Sequence, residues 1–142
     1  MTASCEKKPY LFSVIIPVYN VLTYLREGLD SLVHELAEDL QVILIDDGST
    51  DGSSAVCDEY AHRYAQFIVI HQPNGGVAAA RNRGLQASSG QYLLWFDPDD
   101  RLLPGWLSAI REAIQQDMPD LLLFDYVQEQ NGRTTPMQYG RA

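Results

Sequence analysis

Three things are scarce in this chain of 142 residues. Cysteine occurs only at Cys5 and Cys57, a pair that matches neither a zinc-ligand spacing nor a disulfide framework; the expectation is two free thiols in a reducing cytoplasm. Basic residues are outnumbered, 10 Lys and Arg against 19 Asp and Glu, for a net charge of −9. This argues against nucleic-acid binding, which needs a clustered positive face, and a phosphorylated ligand would require a cation to offset like charge. Long apolar runs are missing too, since none reaches the ~18 residues of a membrane span. Peripheral association with a membrane is compatible with this composition. Glu6-Lys7-Lys8 ahead of Leu11 to Val18 has the outline of a signal peptide, but Pro17, the Tyr19-Asn20 ending and the lack of a small-residue cleavage site favour a buried strand. The sequence contains no G-x-G-x-x-G, no G-x-x-x-x-G-K-[ST], no G-x-S-x-G and no H-E-x-x-H. A dinucleotide Rossmann site, a P-loop, a nucleophile elbow and a zinc-protease helix are thereby set aside.

What is present is an alternation of short apolar runs and amphipathic stretches. LFSVIIPV (Leu11 to Val18) reads as a strand buried on both faces. Val21 to Ala37 carries Leu22, Leu25, Leu29, Leu32, Val33 and Leu36 at helical spacing. Strand two spans Gln41 to Ile45, and Ser53 to Ala65 is a helix. Strand three spans Phe67 to Ile70, and Val77 to Ala87 is a helix of small residues with Arg81 and Arg83. Strand four spans Tyr92 to Phe96, with a helix over Leu107 to Ile114, and Leu121 to Phe124 is expected as a fifth strand ending at Asp125. From Gln128 the chain turns polar and reads as a hairpin connection or a ragged end. The alternation predicts an α/β fold, a mostly parallel sheet with helices on both faces. The expected organisation is an N-terminal extension over 1–11, one α/β domain over 12–127 and a polar segment over 128–142.

In an open parallel sheet, ligands bind beyond the carboxyl ends of the strands. Four strand ends here carry unusual polar residues: Pro17-Val18-Tyr19-Asn20, Asp46-Asp47-Gly48-Ser49-Thr50-Asp51-Gly52, His71-Gln72-Pro73-Asn74-Gly75-Gly76 and Asp97-Pro98-Asp99-Asp100. The opposite edge, around Glu38-Asp39 and Ser88 to Gln91, is ordinary. Carboxylates crowded where an apolar strand emerges repel one another unless a cation lies between them, and hard oxygen ligands suit Mg²⁺ or Mn²⁺. Asp97 and Asp99 are therefore the candidate metal ligands, with Asp100 as a helix cap; a single Asp here would read as a cap alone. Asp46 and Asp47 read either as caps or as acceptors for a nucleobase N–H or ribose hydroxyls. Asn74-Gly75-Gly76 opens a helix whose N-terminus favours anions, with Arg81, Asn82 and Arg83 in reach of a diphosphate. Tyr19 is placed to stack on a base. His34 and His62 fall on predicted helices as surface or packing residues.

FSVIIPVYN (Phe12 to Asn20), VILIDDGSTDGS (Val42 to Ser53), NGGVAAARNRGL (Asn74 to Leu85) and GQYLLWFDPDD (Gly90 to Asp100), in this order, resemble the family 2 glycosyltransferases of the GT-A fold. The resemblance covers about Phe12 to Tyr126. It implies a nucleotide-sugar donor, usually a UDP-sugar, bound with Mn²⁺ or Mg²⁺, and transfer with inversion to a glycan or lipid-linked acceptor. Pro17 and Tyr19 match the positions flanking the nucleobase, and Asp47 or its neighbour Asp46 matches the acid on the uracil and ribose. Asp97-Pro98-Asp99 matches the D-x-D motif, whose last Asp holds the metal on the diphosphate. Asn74, Gly75 and Arg81 match the loop and helix lining the donor pocket. Inverting transfer needs a general base, in this family an Asp or Glu well beyond the D-x-D motif. Here the sequence stops 42 residues after Asp100, leaving Asp125 as a candidate at short spacing. The expectation is thus the donor-binding portion of a longer enzyme. The alternatives are a donor-binding module without transferase activity and a haloacid-dehalogenase-like phosphatase, the latter disfavoured because its nucleophile follows the first strand.

Overall fold

The computed structural model describes residues 10–137. The chain divides into two compact units, one ending at Trp106 and one beginning at Leu107. In the first, β1 (Phe12–Val18) and β2 (Leu40–Asp46) are seven-residue strands buried at every position. Apolar residues on both faces produce this pattern when helices cover both sides of a sheet. The other elements are α1 (Leu22–Val33), α2 (Ser53–Arg63), β3 (Phe67–His71), α3 (Val77–Ala87) and β4 (Tyr92–Trp95). The strands form one parallel sheet in the order β3-β2-β1-β4.

Side-chain alternation divides the core in two. Ile15, Ile43 and Ile45 pack with Ala80 of α3, and Ile70 and Ala87 border them. The approach is tight, because a Cβ at Gly84 of α3 would lie 2.3 Å from Ile15 Cγ2. Val14, Ile16, Val42 and Leu44 point the other way and are equally buried, which places α1 and α2, themselves in contact, over that face. Each fully buried aliphatic side chain contributes about 1.5–3 kcal/mol, so β1 and β2 carry the stability of this unit. The edge strand β4 alternates between half-buried and exposed.

At the amino ends of the strands, Gln41 Oε1 accepts hydrogen bonds from Ser13 Oγ at 2.7 Å and from Ser89 N at 3.1 Å. Gly90 N donates to Ser13 Oγ at 2.8 Å. This polar lock is internal, so the ordinary-looking edge of the sequence serves packing.

Three expectations are corrected. Asp100 caps no helix, because the next helix begins only at Trp106. α1 ends at Val33 rather than Ala37: Glu35 N and Leu36 N donate three residues back, to Leu32 O and Val33 O, as the chain turns to enter β2. Leu121 to Phe124 is not a strand, and Asp125 therefore ends none. Leu121, Leu123 and Phe124 are exposed, and no strand among the described residues pairs with them; a short apolar run cannot by itself distinguish a strand from other structure. The second unit holds most of α4 (Trp106–Asp117) and a hairpin of β5 (Tyr126–Gln130) with β6 (Arg133–Met137). Asn131 and Gly132, at φ 53° and 73°, make the left-handed two-residue turn that favours hairpins. No helix among the described residues is long and apolar enough to cross a membrane.

Candidate functional site at the carboxyl ends of the strands

The direction of winding reverses between β1 and β4, and a crevice opens at such a switch point beyond the carboxyl ends of the strands. Local sequence widens it. Ile15 O accepts from Phe96 N at 3.1 Å, so by alternation Pro17 faces the same side of β1, where it has no N–H to offer. Pairing of β1 with β4 stops at Ile15–Trp95, whereas β1 and β2 stay paired to Val18–Asp46. Tyr19, two residues beyond Pro17, is half exposed.

The tip of β2 uses its carboxylates internally. Asp47 is 2% exposed; its Oδ1 accepts from Gln72 Nε2 at 2.8 Å and Gly75 N at 2.9 Å, and its Oδ2 from Gly76 N at 2.9 Å. Asn74 Nδ2 donates to the Asp47 carbonyl at 3.1 Å. Burial works to raise the pKa of Asp47, but the hydrogen bonds from Gln72, Gly75 and Gly76 outweigh it and hold the carboxyl below its ordinary value. The anion expected at the head of α3 is thus, for the N–H groups of Gly75 and Gly76, the chain's own Asp47. Gly48 makes the fit possible: at φ +78° it turns the chain so closely that a Cβ would meet Asn74 N at 2.9 Å. Asp46, 3% exposed, accepts from Ser49 N at 3.1 Å and faces His71 Nδ1 at 2.8 Å. For Asp46 too, burial is outweighed, here by His71 and Ser49, and its pKa is lowered.

The rest of the loop after β2 caps two helices. Ser53 Oγ accepts from Val21 N at 3.1 Å and Asp51 Oδ2 from Leu22 N at 3.1 Å, so α1 takes its N-terminal caps from a distant segment. Asp51 Oδ1 also accepts from Ser53 N at 2.9 Å, at the start of α2. Asn20, at φ 50°, accepts from Thr50 N at 2.8 Å and donates its own N–H to Ser49 Oγ. The loops after β1 and β2 are therefore laced into one wall.

The loop after β4 is built the other way round, with its backbone anchored and its carboxylates presented. Asp100 N donates to Asp97 O at 3.0 Å, and Leu102 N to Ser31 Oγ at 3.0 Å. Gly28 of α1 lies so close that a Cβ there would stand 2.8 Å from Asp100 O and 2.9 Å from Pro98 O. Asp97, Asp99 and Asp100 are exposed, and one oxygen from each falls within 4.8 Å of the others. Arg81 Nη2 reaches Asp97 Oδ1 at 3.4 Å, a loose, solvated pair worth little by itself. Among the described residues, Asp99 and Asp100 make no side-chain hydrogen bond or ion pair. Partial loss of solvent and the charges of Asp99 and Asp97 raise the pKa of Asp100. Three clustered, oxygen-only ligands with unspent acceptor capacity suit a hard divalent cation.

Pro17, Tyr19, Asp46, Asp47, Asn74, Gly75, Arg81, Asp97 and Asp99 accordingly share one edge of one sheet. Asp125 sits in the second unit, just before β5. Arg83 is exposed on α3, and His34 and His62 are exposed as well. Cys57 is a buried free thiol; Cys5 lies outside the described residues. Sequence reasoning assigned no role to His71, Gln72, Ser31 or Gly28. The first two were legible only as members of a polar strand end, and Gly28 gave no signal inside an amphipathic helix.

Comparison with known proteins places this chain in a family of the same α/β fold. It belongs to glycosyl transferase family 2, which matches residues 13–141, and nothing in the matches favours a phosphatase. It is 35% identical to the uncharacterised glycosyltransferase EpsJ of Bacillus subtilis, over 88% of this chain and 36% of that protein. It is 44% identical to the minor teichoic acid biosynthesis protein GgaB of the same organism, over 68% of this chain and 11% of that one. The GT-A fold of residues 1–349 of TarS from S. aureus, crystallised in complex with UDP, superimposes with a TM-score of 0.73 at 27% identity, covering 89% of this chain and 38% of that TarS chain. The chain thus spans less than two-fifths of the length of each of these proteins.

Proposed function

We propose that this chain binds a nucleoside-diphosphate sugar, a UDP-sugar, for transfer of the sugar with inversion to a hydroxyl of a glycan or lipid-linked acceptor. The observation that carries the reading is the Asp97, Asp99 and Asp100 cluster, solvent-facing and clustered at the switch point. Asp99 and Asp97 would hold Mn²⁺ or Mg²⁺, and a cation bound there supplies positive charge to a departing diphosphate. The chain's own residues do the remainder. Tyr19 offers a ring to the base at the gap left by Pro17, while Asp46 and Asp47 shape the wall beside it. Asn74 and Gly75 fix the loop leading into α3, and Arg81 brings a positive charge to the acidic edge, where the net charge of −9 would otherwise repel a diphosphate. The likeness to TarS, whose crystal structure contains UDP, supports the uridine donor. The buried free thiol of Cys57 accords with the cytoplasmic setting we assign.

Because the chain spans 36% of EpsJ, donor binding is the part of the reaction its residues are assigned, and Asp125 is the one carboxylate proposed for the acceptor side. Calorimetric titration of UDP, with GDP as control, in the presence and absence of Mn²⁺ tests the reading. Binding of UDP that needs the metal is expected. No heat from either nucleotide under either condition would contradict it.

A further inference from the structure

Behind the tip of β2, the ring of His71 closes a junction of three elements. Parallel register sets His71 of β3 opposite Asp46 of β2, and its Nδ1 lies 2.8 Å from Asp46 Oδ2. Ser54 and Asp58, four residues apart and so on one face of α2, approach from the helix above. Ser54 Oγ is 3.2 Å from Nδ1, and Asp58 Oδ1 is 2.7 Å from Nε2. An ionised carboxylate can only accept a hydrogen bond, and a neutral imidazole has a single N–H. Two carboxylates on the two ring nitrogens therefore need both nitrogens protonated, which makes the ring an imidazolium. The titratable groups facing it are Asp46 from β2 and Asp58 from α2. Cys57, beside Asp58 on α2, is uncharged, because burial and the nearby charges of Asp46 and Asp58 push its thiol up to about 12.

The junction has one direct link to the wall described above. The same Asp46 carboxylate that meets His71 also accepts from Ser49 N at 3.1 Å, and so closes the turn that carries Asp47. Ser49 in turn accepts from Asn20 N, next to Tyr19. Taking the donor reading above as its basis, we propose that His71 is a positioning residue for the donor: as an imidazolium it pins Asp46, sets the turn over residues 46–49, and makes donor affinity depend on its own protonation. It contacts no part of the donor itself.

The sign of the dependence follows from the shift. Hydrogen bonds to Asp46 and Asp58 raise the pKa of His71 above its ordinary value, against the effect of burial. The contribution of the junction is thus complete below the unfolded value of ~6.5 and is lost as pH rises through the folded one. Donor affinity should weaken in that direction.

The test measures UDP affinity by calorimetry with Mg²⁺, from about pH 6 to pH 8.5, for the wild-type chain, His71→Gln and Asp58→Asn, together with the NMR titration of the His71 ring. The wild-type chain is expected to lose about 10-fold in affinity, the scale of a lost supporting contact, across the midpoint read from the ring. His71→Gln should bind weakly at every pH with no such step, and Asp58→Asn should move step and midpoint together to lower pH. Asp58 is exposed, so its replacement tests the coupling even if His71→Gln fails to fold. A neutral ring at pH 7, or the same pH profile in wild type and His71→Gln, overturns the proposal while the donor reading stands. Absence of UDP binding in every protein at every pH overturns the donor reading and this proposal with it.

Discussion

The tip of β2 and the loop after β4 both place carboxylates at the same edge of the sheet, yet they treat them in opposite ways. Asp47 is 2% exposed and takes hydrogen bonds from Gln72, Gly75 and Gly76. Asp97, whose side chain is 53% exposed, has only the loose contact with Arg81. In the first region the side chains hold the backbone. In the second the backbone is held by Gly28, Ser31 and its own turn, which frees the side chains for a ligand. Acidic strand tips that look alike in sequence are thus one structural and one available, and the difference lies in which atoms satisfy the local backbone donors. A buried donor left without its acceptor is costly, whereas a solvated carboxylate can be removed at little expense to the fold.

The largest effect is expected from Asp47→Ala, which strands the N–H groups of Gly75 and Gly76 and the amide of Gln72. A loss of about 3 kcal/mol of stability is predicted, the upper end of the scale for hydrogen bonds to a charged group, read as a lower midpoint in urea unfolding. An unchanged midpoint would show that the contrast is wrong at its structural end. Next comes Gly28→Ala, which alters no carboxylate yet drives a Cβ against the carbonyls of Pro98 and Asp100. Overpacking of this kind costs about 1–3 kcal/mol, and Mn²⁺ affinity should fall with it because the loop is displaced. Retained affinity would mean that the loop does not depend on its anchor.

A smaller effect appears in the pH dependence, where the two regions carry opposite signs. Asp46 and Asp47 have folded pKa values below their unfolded ones, so the stability they contribute is present above ~3.9 and is lost as pH falls through the folded values. Asp100 is raised by partial burial and by Asp99 and Asp97; it disfavours the folded state once ionised, and protonation relieves this as pH falls through its folded value. Urea midpoints between about pH 3 and pH 7 should therefore show Asp100→Asn gaining slightly at neutral pH and losing that gain in acid. A uniform offset would remove the distinction between the regions.

The sequence made the scaffold readable because its signals were local. The apolar runs of β1 and β2, the small residues of α3 and the gathering of polar strand ends at one edge all follow from short-range patterns. Leu121 to Phe124 misled for the same reason, as an apolar run whose structure is decided by the presence or absence of a strand partner. Within the site, residue identities located both acidic clusters but could not assign their use. Whether Asp47 faces a ligand or the Gly75 and Gly76 N–H groups depends on a loop 28 residues away. The capping of α1 by Asp51 and Ser53 across 29 and 32 residues and the bridging by His71 are equally non-local. Gly28 matters only through what α1 packs against.

The contrast is tested most directly by Asp99→Asn measured in two ways on one sample: thermal melting without metal, and calorimetric binding of UDP with Mn²⁺. The expected result is an unchanged melting temperature together with a loss of more than about 100-fold in metal-dependent affinity, beyond what removal of a mere supporting group costs. A lowered melting temperature with UDP affinity intact would contradict it, because Asp99 would then belong with Asp47 among the residues that hold the fold.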